Sequence, residues 1–170
     1  MLHALFERGL AAMYFIAFLS SFNQFPTLLG ERGLLPAPEF LRHVTFRDAP
    51  SLFHWRYSDR LLRIVGAFGM ALALITIGGL TEILPWWGGV TIWLTMWVLY
   101  QSIVNIGQTF YSFGWESMLL EAGFFAAFLG PRGATPPAIL VIVLRWMLFR
   151  VEFGAGLIKL RGDECWRDLT

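Results

Sequence analysis

The sequence has few charged residues, a single lysine and a single cysteine. Its 170 residues include 13 basic and 12 acidic side chains, which make up 15% of the chain and leave a net charge of +1. A soluble domain usually carries roughly a quarter of its residues as charges, so the composition disfavours a soluble enzyme and a disordered tail. The small net charge also gives no reason to expect nucleic acid as a partner.

The chain lacks the cysteine and histidine patterns of disulfide and zinc proteins. Cys165 alone cannot form an internal disulfide, and the histidines at positions 3, 43 and 54 are scattered along the chain. No Cys/His spacing is typical of a metal site, so we predict neither a metal nor a cofactor. The three histidines are interpreted as ordinary loop or surface residues.

Apolar residues are abundant and occur in long uncharged stretches. Hydrophobic residues make up 56% of the chain and the mean hydropathy is +0.59. Residues 64–81 and 83–115 contain no charged side chain, and a transmembrane helix needs about 20 predominantly apolar residues. The pattern predicts an all-α, polytopic transmembrane helical bundle with about five spans. The predicted spans are residues 9–25, 62–81, 86–103, 115–129 and 138–160.

A loop of residues 26–60 separates the first two predicted spans. It mixes arginines, acidic residues and aromatics, which suits either a segment lying at the membrane interface or a solvated connector. Five crossings place this loop and the C-terminal tail on one side, and the Lys/Arg count predicts that this side is cytoplasmic. The small-residue pairs Ala67/Ala71 and Gly123/Ala127 predict close helix packing.

Ionisable residues inside the predicted spans are the candidates for a functional site. A charge at membrane depth is costly unless it is paired or faces a cavity. We therefore predict an intramembrane polar network, which either holds helices together or lines a pocket for a ligand or a proton. Arg145, Glu152 and Lys159 are spaced by seven and share one helical stripe. The network consists of Glu116, Glu121, Arg145, Arg150, Glu152 and Lys159.

Four sequence stretches, taken together, resemble a known family. They are NQFPTLLGERGLLPAPEFL (23–41), GQTFYSFGWESMLLEAGFFAAFLGP (107–131), LRWMLFRVEFGAGLIKLRGDECWRDLT (144–170) and the weaker FHWRYSD (53–59). This set resembles the lipase maturation factor family. The resemblance implies a multi-pass membrane protein that assists the folding and assembly of secreted lipases, with no catalytic residue of its own. Its motif residues here are Gly114, Trp115, Glu116, Glu121, Gly154, Gly156, Lys159 and Trp166.

The resemblance also implies a domain organisation, partners and a location. Residues 1–170 would be a single membrane domain, the N-terminal part of a longer protein whose C-terminal region handles the client lipase. The expected partners are membrane lipids and that client, in the endoplasmic reticulum membrane of a eukaryote or the cytoplasmic membrane of a bacterium. Family members have a luminal C-terminal part, which conflicts with the Lys/Arg count, and we follow the family.

A shorter similarity offers an enzymatic alternative. The stretch GAGLIKLRGDECW (154–166) is similar to the Gly-x-x-Lys-Leu…Trp element of the vitamin K-dependent carboxylase-like membrane superfamily. That similarity implies Lys159 as a general base and Trp166 as a wall of the site. The favoured hypothesis is a non-enzymatic folding assistant, with a Lys159-dependent membrane enzyme as the runner-up. A third hypothesis is a membrane anchor for a missing C-terminal domain.

Overall fold

A computed structural model describes residues 2–131, 135–162 and 165–168. These residues form helices joined by turns and contain no β-strand, which confirms the all-α prediction. The chain forms two compact units, Met1–Ala134 and Thr135–Thr170, which are described separately. The helices of the first unit are α1 (Leu2–Leu29), α2 (Ala37–His43), α3 (Asp59–Ile77), α4 (Leu80–Ile83), α5 (Trp86–Asn105) and α6 (Gly114–Ala126). Those of the second unit are α7 (Ala138–Arg161) and α8 (Cys165–Asp168).

Two of these helices are long and apolar enough to cross a membrane. They are α1 and α3, with mean hydropathies of 1.3 and 1.8 over their most apolar windows. Helix α5 has 20 residues and no charge, but it is rich in tryptophan and small polar residues. Helix α6 has only 13 residues and is about 20 Å long, shorter than a hydrocarbon core of about 30 Å. Helix α7 is long enough at 24 residues but contains charged side chains.

The first helix extends past its predicted end. We predicted that the span would stop before Pro26, but α1 contains that proline and ends at Leu29. A proline within a helix removes one backbone hydrogen bond, to the carbonyl four residues earlier. Phe25 and Leu29, on either side of it, are completely buried. Their burial offsets the lost bond, because removing a large apolar side chain from water contributes about 1.5–3 kcal/mol.

The second predicted span, in contrast, ends early. Helix α3 stops at Ile77, and the residues up to Thr81 that we assigned to it turn away into the short helix α4. Gly79 has a φ of +84°, a left-handed conformation that glycine adopts without steric cost. The Gly78–Gly79 pair therefore ends the helix, even though the sequence remains apolar.

Helices α1 and α3 pack antiparallel and approach each other closely at two glycines. A Cβ atom added to Gly69 would lie 2.5 Å from the Phe18 ring, and one added to Gly66 would touch Phe22. The predicted packing pair Ala67/Ala71 lies on the exposed face of α3 instead, so that prediction is wrong. Small residues occur on both faces of this helix, and composition alone does not show which face is buried.

An aromatic cluster fills the centre of the first unit. Tyr14 and Phe18 of α1 meet Trp93 and Tyr100 of α5, with ring centroids 5.5–5.9 Å apart across the two helices. All four side chains are almost completely buried. Edge-to-face aromatic pairs of this kind add about 0.5–1.5 kcal/mol beyond the area they bury. The cluster fixes the position of Tyr100, which takes part in the candidate site.

The loop between α2 and α3 is attached to the last turns of α5. The Ser51 hydroxyl donates to the Ser102 carbonyl at 2.8 Å, and the Asn105 amide donates to the Pro50 carbonyl at 2.7 Å. The same loop exposes Phe46 and Trp55, whose rings are 6.0 Å apart. Exposed aromatics held at the end of a helix favour the interface-lying alternative for this loop.

Candidate functional site

The family stretch at residues 107–131 contains helix α6, and the start of this helix places a carboxylate against the aromatic cluster. Gly114, Trp115 and Glu116 form the first turn of α6. The Tyr100 hydroxyl donates a hydrogen bond to Glu116 Oε2, which joins α5 to α6. The start of a helix also favours a negative charge, because its backbone N–H groups point toward it. Glu116 is thus held by a buried tyrosine from one side and by its own helix from the other.

A second polar pair lies beside the first. Tyr111, in the short 3₁₀ turn between α5 and α6, is hydrogen-bonded through its hydroxyl to Ser21 of α1 at 3.0 Å. Burial raises the pKa of Tyr111 to about 12, so its hydroxyl stays neutral at physiological pH. The Ser21–Tyr111 hydrogen bond connects α1 to the turn that precedes α6.

Tyr100, Tyr111 and Glu116 border a groove between α1 and α6, which we call the α1–α6 groove. Its volume is about 460 Å³, within the range of about 300–1,000 Å³ that is common for small-molecule sites. Its lining includes the polar side chains of Ser20, Gln24, Tyr111 and Glu116. Most of the remaining lining is apolar and includes Met13, Ile16, Ala17, Leu28, Phe110 and Leu119.

A further polar cluster at the other end of the bundle escaped the sequence analysis. The Arg8 guanidinium forms an ion pair with Glu82, with Nη2 and Oε1 2.8 Å apart, although 74 positions separate the two residues. Glu7 is 6% exposed, and its Oε1 lies 3.7 Å from Nε2 of His3. His3 lies within α1 with its side chain 15% exposed, so the prediction that it is a loop or surface residue is wrong. One sequence signal pointed to this cluster: Glu82 is the single charged residue between the two long uncharged stretches.

The third family motif lies in the second unit, on α7 and α8. Arg145, Arg150, Glu152 and Lys159 occur on α7, as do Gly154 and Gly156, and Trp166 lies in α8. The Lys159 ammonium is 4.8 Å from the centroid of the Trp166 ring. Such a contact attracts the charged form of lysine and contributes about 0.5–1 kcal/mol at exposed sites. Lys159 also belongs to the last turn of α7, where a positive charge is favoured.

The two units divide the proposed polar network. Glu116 and Glu121 occur on α6 in the first unit, and the remaining four members occur on α7 in the second. Within the described part of the chain, no group of three or more His, Cys, Asp or Glu side chains could hold a metal ion. Three polar pairs join separate elements of the first unit: Tyr100 with Glu116, Ser21 with Tyr111, and Arg8 with Glu82.

A double-mutant cycle measures the Tyr100–Glu116 contact. We expect Tyr100→Phe and Glu116→Ala to be non-additive by about 1.5–3 kcal/mol in the free energy of unfolding, as for hydrogen bonds to charged groups. Unfolding in mixed detergent micelles provides the measurement. The control cycle pairs Tyr100→Phe with Ser117→Ala, which alters the neighbouring residue of α6 and should be additive within about 0.5 kcal/mol. Additivity in both cycles would contradict the assigned contact.

The fold and the comparisons together define what kind of protein this is. Two apolar helices of membrane-spanning length, packed around aromatic residues and joined to their neighbours by a few paired polar side chains, are compatible with a helical membrane domain. The sequence matches the family described as "Lipase maturation factor transmembrane domain" over residues 1–170. The chain therefore belongs to the lipase maturation factor family, as its motifs predicted.

Curated relatives resemble the chain along nearly its whole length. Lipase maturation factor 1 of Mus musculus is 41% identical over 179 residues, which cover 96% of this chain and 31% of the relative. The corresponding protein of Bos taurus is 39% identical over 96% of the chain and 32% of its own length. Lipase maturation factor 2 of Xenopus tropicalis is 31% identical over 95% of the chain and 25% of its own length. The chain thus spans a quarter to a third of these relatives. No solved structure matches it.

Proposed function

We propose that this chain is the membrane domain of a factor that assists the maturation of secreted lipases without catalysing a reaction. The observation that carries the proposal is the family match over all 170 residues, together with 39–41% identity to two lipase maturation factors. The client lipase would be handled mainly by a region beyond residue 170, as the resemblance implies. The domain would reside in the endoplasmic reticulum membrane of a eukaryote or the cytoplasmic membrane of a bacterium.

The proposed membrane arrangement has about five crossings, formed by α1, α3, α5, α6 and α7. Helix α5 supports this arrangement because its 20 residues are uncharged and reach about 30 Å. It begins with Trp86 and Trp87, both exposed, and tryptophans of this kind are enriched at membrane interfaces. The short helix α6 would cross with local thinning of the bilayer or with help from its flanking turns. Paired polar residues would hold the helices of the first unit together.

A chimaera tests this function. Residues 1–170 would replace the matching segment of mouse lipase maturation factor 1 in cells that lack that factor, and secreted active lipase would be measured. We expect the chimaera to restore most of the lipase activity. A matched chimaera carrying an unrelated five-span domain separates a specific role from anchoring. Equal rescue by the unrelated domain would establish the anchor hypothesis, and no rescue by the first chimaera would overturn the proposal.

The same chimaera distinguishes the enzymatic alternative. The contact that the structure shows for Lys159 is with the exposed Trp166 ring, whose centroid is 4.8 Å from the Lys159 nitrogen. We therefore expect Lys159→Ala to leave lipase secretion within about twofold of the parent, because a surface contact of this type contributes less than about 1 kcal/mol. Lys159→Arg, which keeps the cation, is the control and should match the parent. A loss of about 100-fold or more in both variants would indicate catalysis by Lys159.

A further inference from the structure

The α1–α6 groove changes in polarity along its length. One stripe of α1 lines it, consisting of Met13, Ile16, Ala17, Ser20, Gln24 and Leu28. From the first to the last of these residues the helix rises about 22 Å, so the groove is elongated along the helix axis. Met13, Ile16 and Ala17, nearer the start of α1, are apolar, Ser20 and Gln24, one to two turns farther on, are polar, and Leu28 closes the stripe with an apolar side chain. A ligand that matches this lining has an apolar tail and a polar head.

The chemistry of the polar end restricts the head group. Glu116 is the one charged side chain in the lining of the groove, and the lining contains no cation. Its carboxylate accepts the Tyr100 hydrogen bond at Oε2 and has capacity to accept further donors. Gln24 accepts a hydrogen bond from Ser20 at 3.4 Å through its side-chain oxygen, and its amide nitrogen is a donor. A head with neutral hydroxyls satisfies both groups, whereas an anionic head would be repelled by Glu116.

Aromatic side chains flank the same end of the groove. Phe113 and Trp115 stack with ring centroids 4.8 Å apart, line the groove, and are at least half exposed. Aromatic side chains are favoured at the depth of lipid head groups, where one side is apolar and the other is wet. Their position beside Glu116 places the polar end of the groove at the level where a lipid head would lie.

We propose that the α1–α6 groove binds one single-chain neutral lipid, with its acyl tail along Met13–Ala17 and its hydroxylated head against Gln24 and Glu116. Monoacylglycerol is the simplest lipid of this chemistry. The binding needs no lipase and no region outside residues 1–170, so it stands or falls independently of the maturation function. The groove would thus give the membrane domain a ligand of its own.

Photolabelling of the full chain in phosphatidylcholine nanodiscs tests the proposal. The probe is a monoacylglycerol with a diazirine in its acyl chain, and labelled peptides are identified by mass spectrometry. We expect adducts on residues 13–17 of α1 and on α6, with excess monooleoylglycerol lowering the labelling about tenfold and oleate having little effect. Adducts spread equally over the exposed face of α3 would show ordinary bilayer lipid and overturn the proposal. Exclusion of the probe by another protein segment, detected by protein crosslinks to Met13 or Ile16, would also overturn it.

Two variants and a control sharpen the test. Ala17→Trp fills the groove and should lower labelling about tenfold, whereas Leu19→Trp adds the same side chain to α1 outside the groove lining and should not. Glu116→Lys replaces the anion by a cation and should make oleate the better competitor. Equal labelling of both tryptophan variants would contradict the proposal. Where a variant fails to fold, the adduct map and the competition with the wild-type chain decide.

Discussion

Gly123→Val is expected to destabilise the first unit by about 2–4 kcal/mol, the sum of overpacking and a lost hydrogen bond. A Cβ atom at Gly123 would collide with the hydroxyl and ring of Tyr14, whose side chain is completely buried. The Tyr14 hydroxyl donates to the Leu119 carbonyl of α6 at 3.2 Å, so the ring cannot move without losing that bond. Helices α1 and α6 would have to separate. Unfolding in mixed detergent micelles measures the loss.

Gly114→Val provides the matched control on the same helix. A Cβ atom at Gly114 meets nothing within 4 Å, and valine has the same modest helix propensity in both variants. We expect Gly114→Val to change the free energy of unfolding by less than about 1 kcal/mol. Equal costs for the two variants would show that Tyr14 does not contact Gly123. The Gly123/Ala127 pair, like Ala67/Ala71, would then have no packing role.

Glu82→Lys is expected to lower the free energy of unfolding by about 2–4 kcal/mol. This cost lies toward the lower part of the range for breaking a buried ion pair, because Arg8 is partly solvated. The Glu82 side chain is 4% exposed and that of Arg8 is 44% exposed. The substitution would place two cations side by side where Gly79 lets the Arg8 guanidinium pass close to the backbone. The junction between α1 and α4 would then open, which thermal unfolding in micelles would detect.

Reversing the pair separates charge from packing. The double variant Arg8→Glu/Glu82→Arg restores an ion pair at the same place and should recover at least half of the lost stability. Glu39→Lys makes the same charge change in the first turn of α2 and should cost less than about 1 kcal/mol. If the double variant is as unstable as Glu82→Lys, the Arg8–Glu82 contact does not hold α1 and α4 together.

Helix positions could be predicted from the sequence where local signals mark them. Helix α5 begins at Trp86 directly after Pro85, and α7 begins at Ala138 directly after Pro137, as predicted. Proline is favoured at a helix start because its fixed φ suits the first turn and its missing N–H is not needed there. The end of α3 was missed because hydropathy outweighed a glycine pair that stops the helix.

The contacts of the site could not be predicted in the same way. Arg8 and Glu82, or Ser21 and Tyr111, meet only after helices far apart in sequence have packed. The sequence identified Glu116 as an ionisable residue in an apolar span, but not Tyr100 as its partner. A tyrosine within a helix rich in aromatic residues gives no sign that its hydroxyl faces a carboxylate. Tertiary packing, which has no local signature, decides such pairs.

The number of membrane crossings is the central claim, and cysteine accessibility measures it most directly. Single cysteines at Thr45→Cys and Thr135→Cys, each with Cys165→Ser, would be compared with the native Cys165, using a maleimide that cannot cross the membrane. Five crossings predict that positions 45 and 165 react from one side and position 135 reacts from the other. If only α1 and α3 cross, positions 135 and 165 react from the same side, opposite to position 45. That result would contradict the proposed bundle.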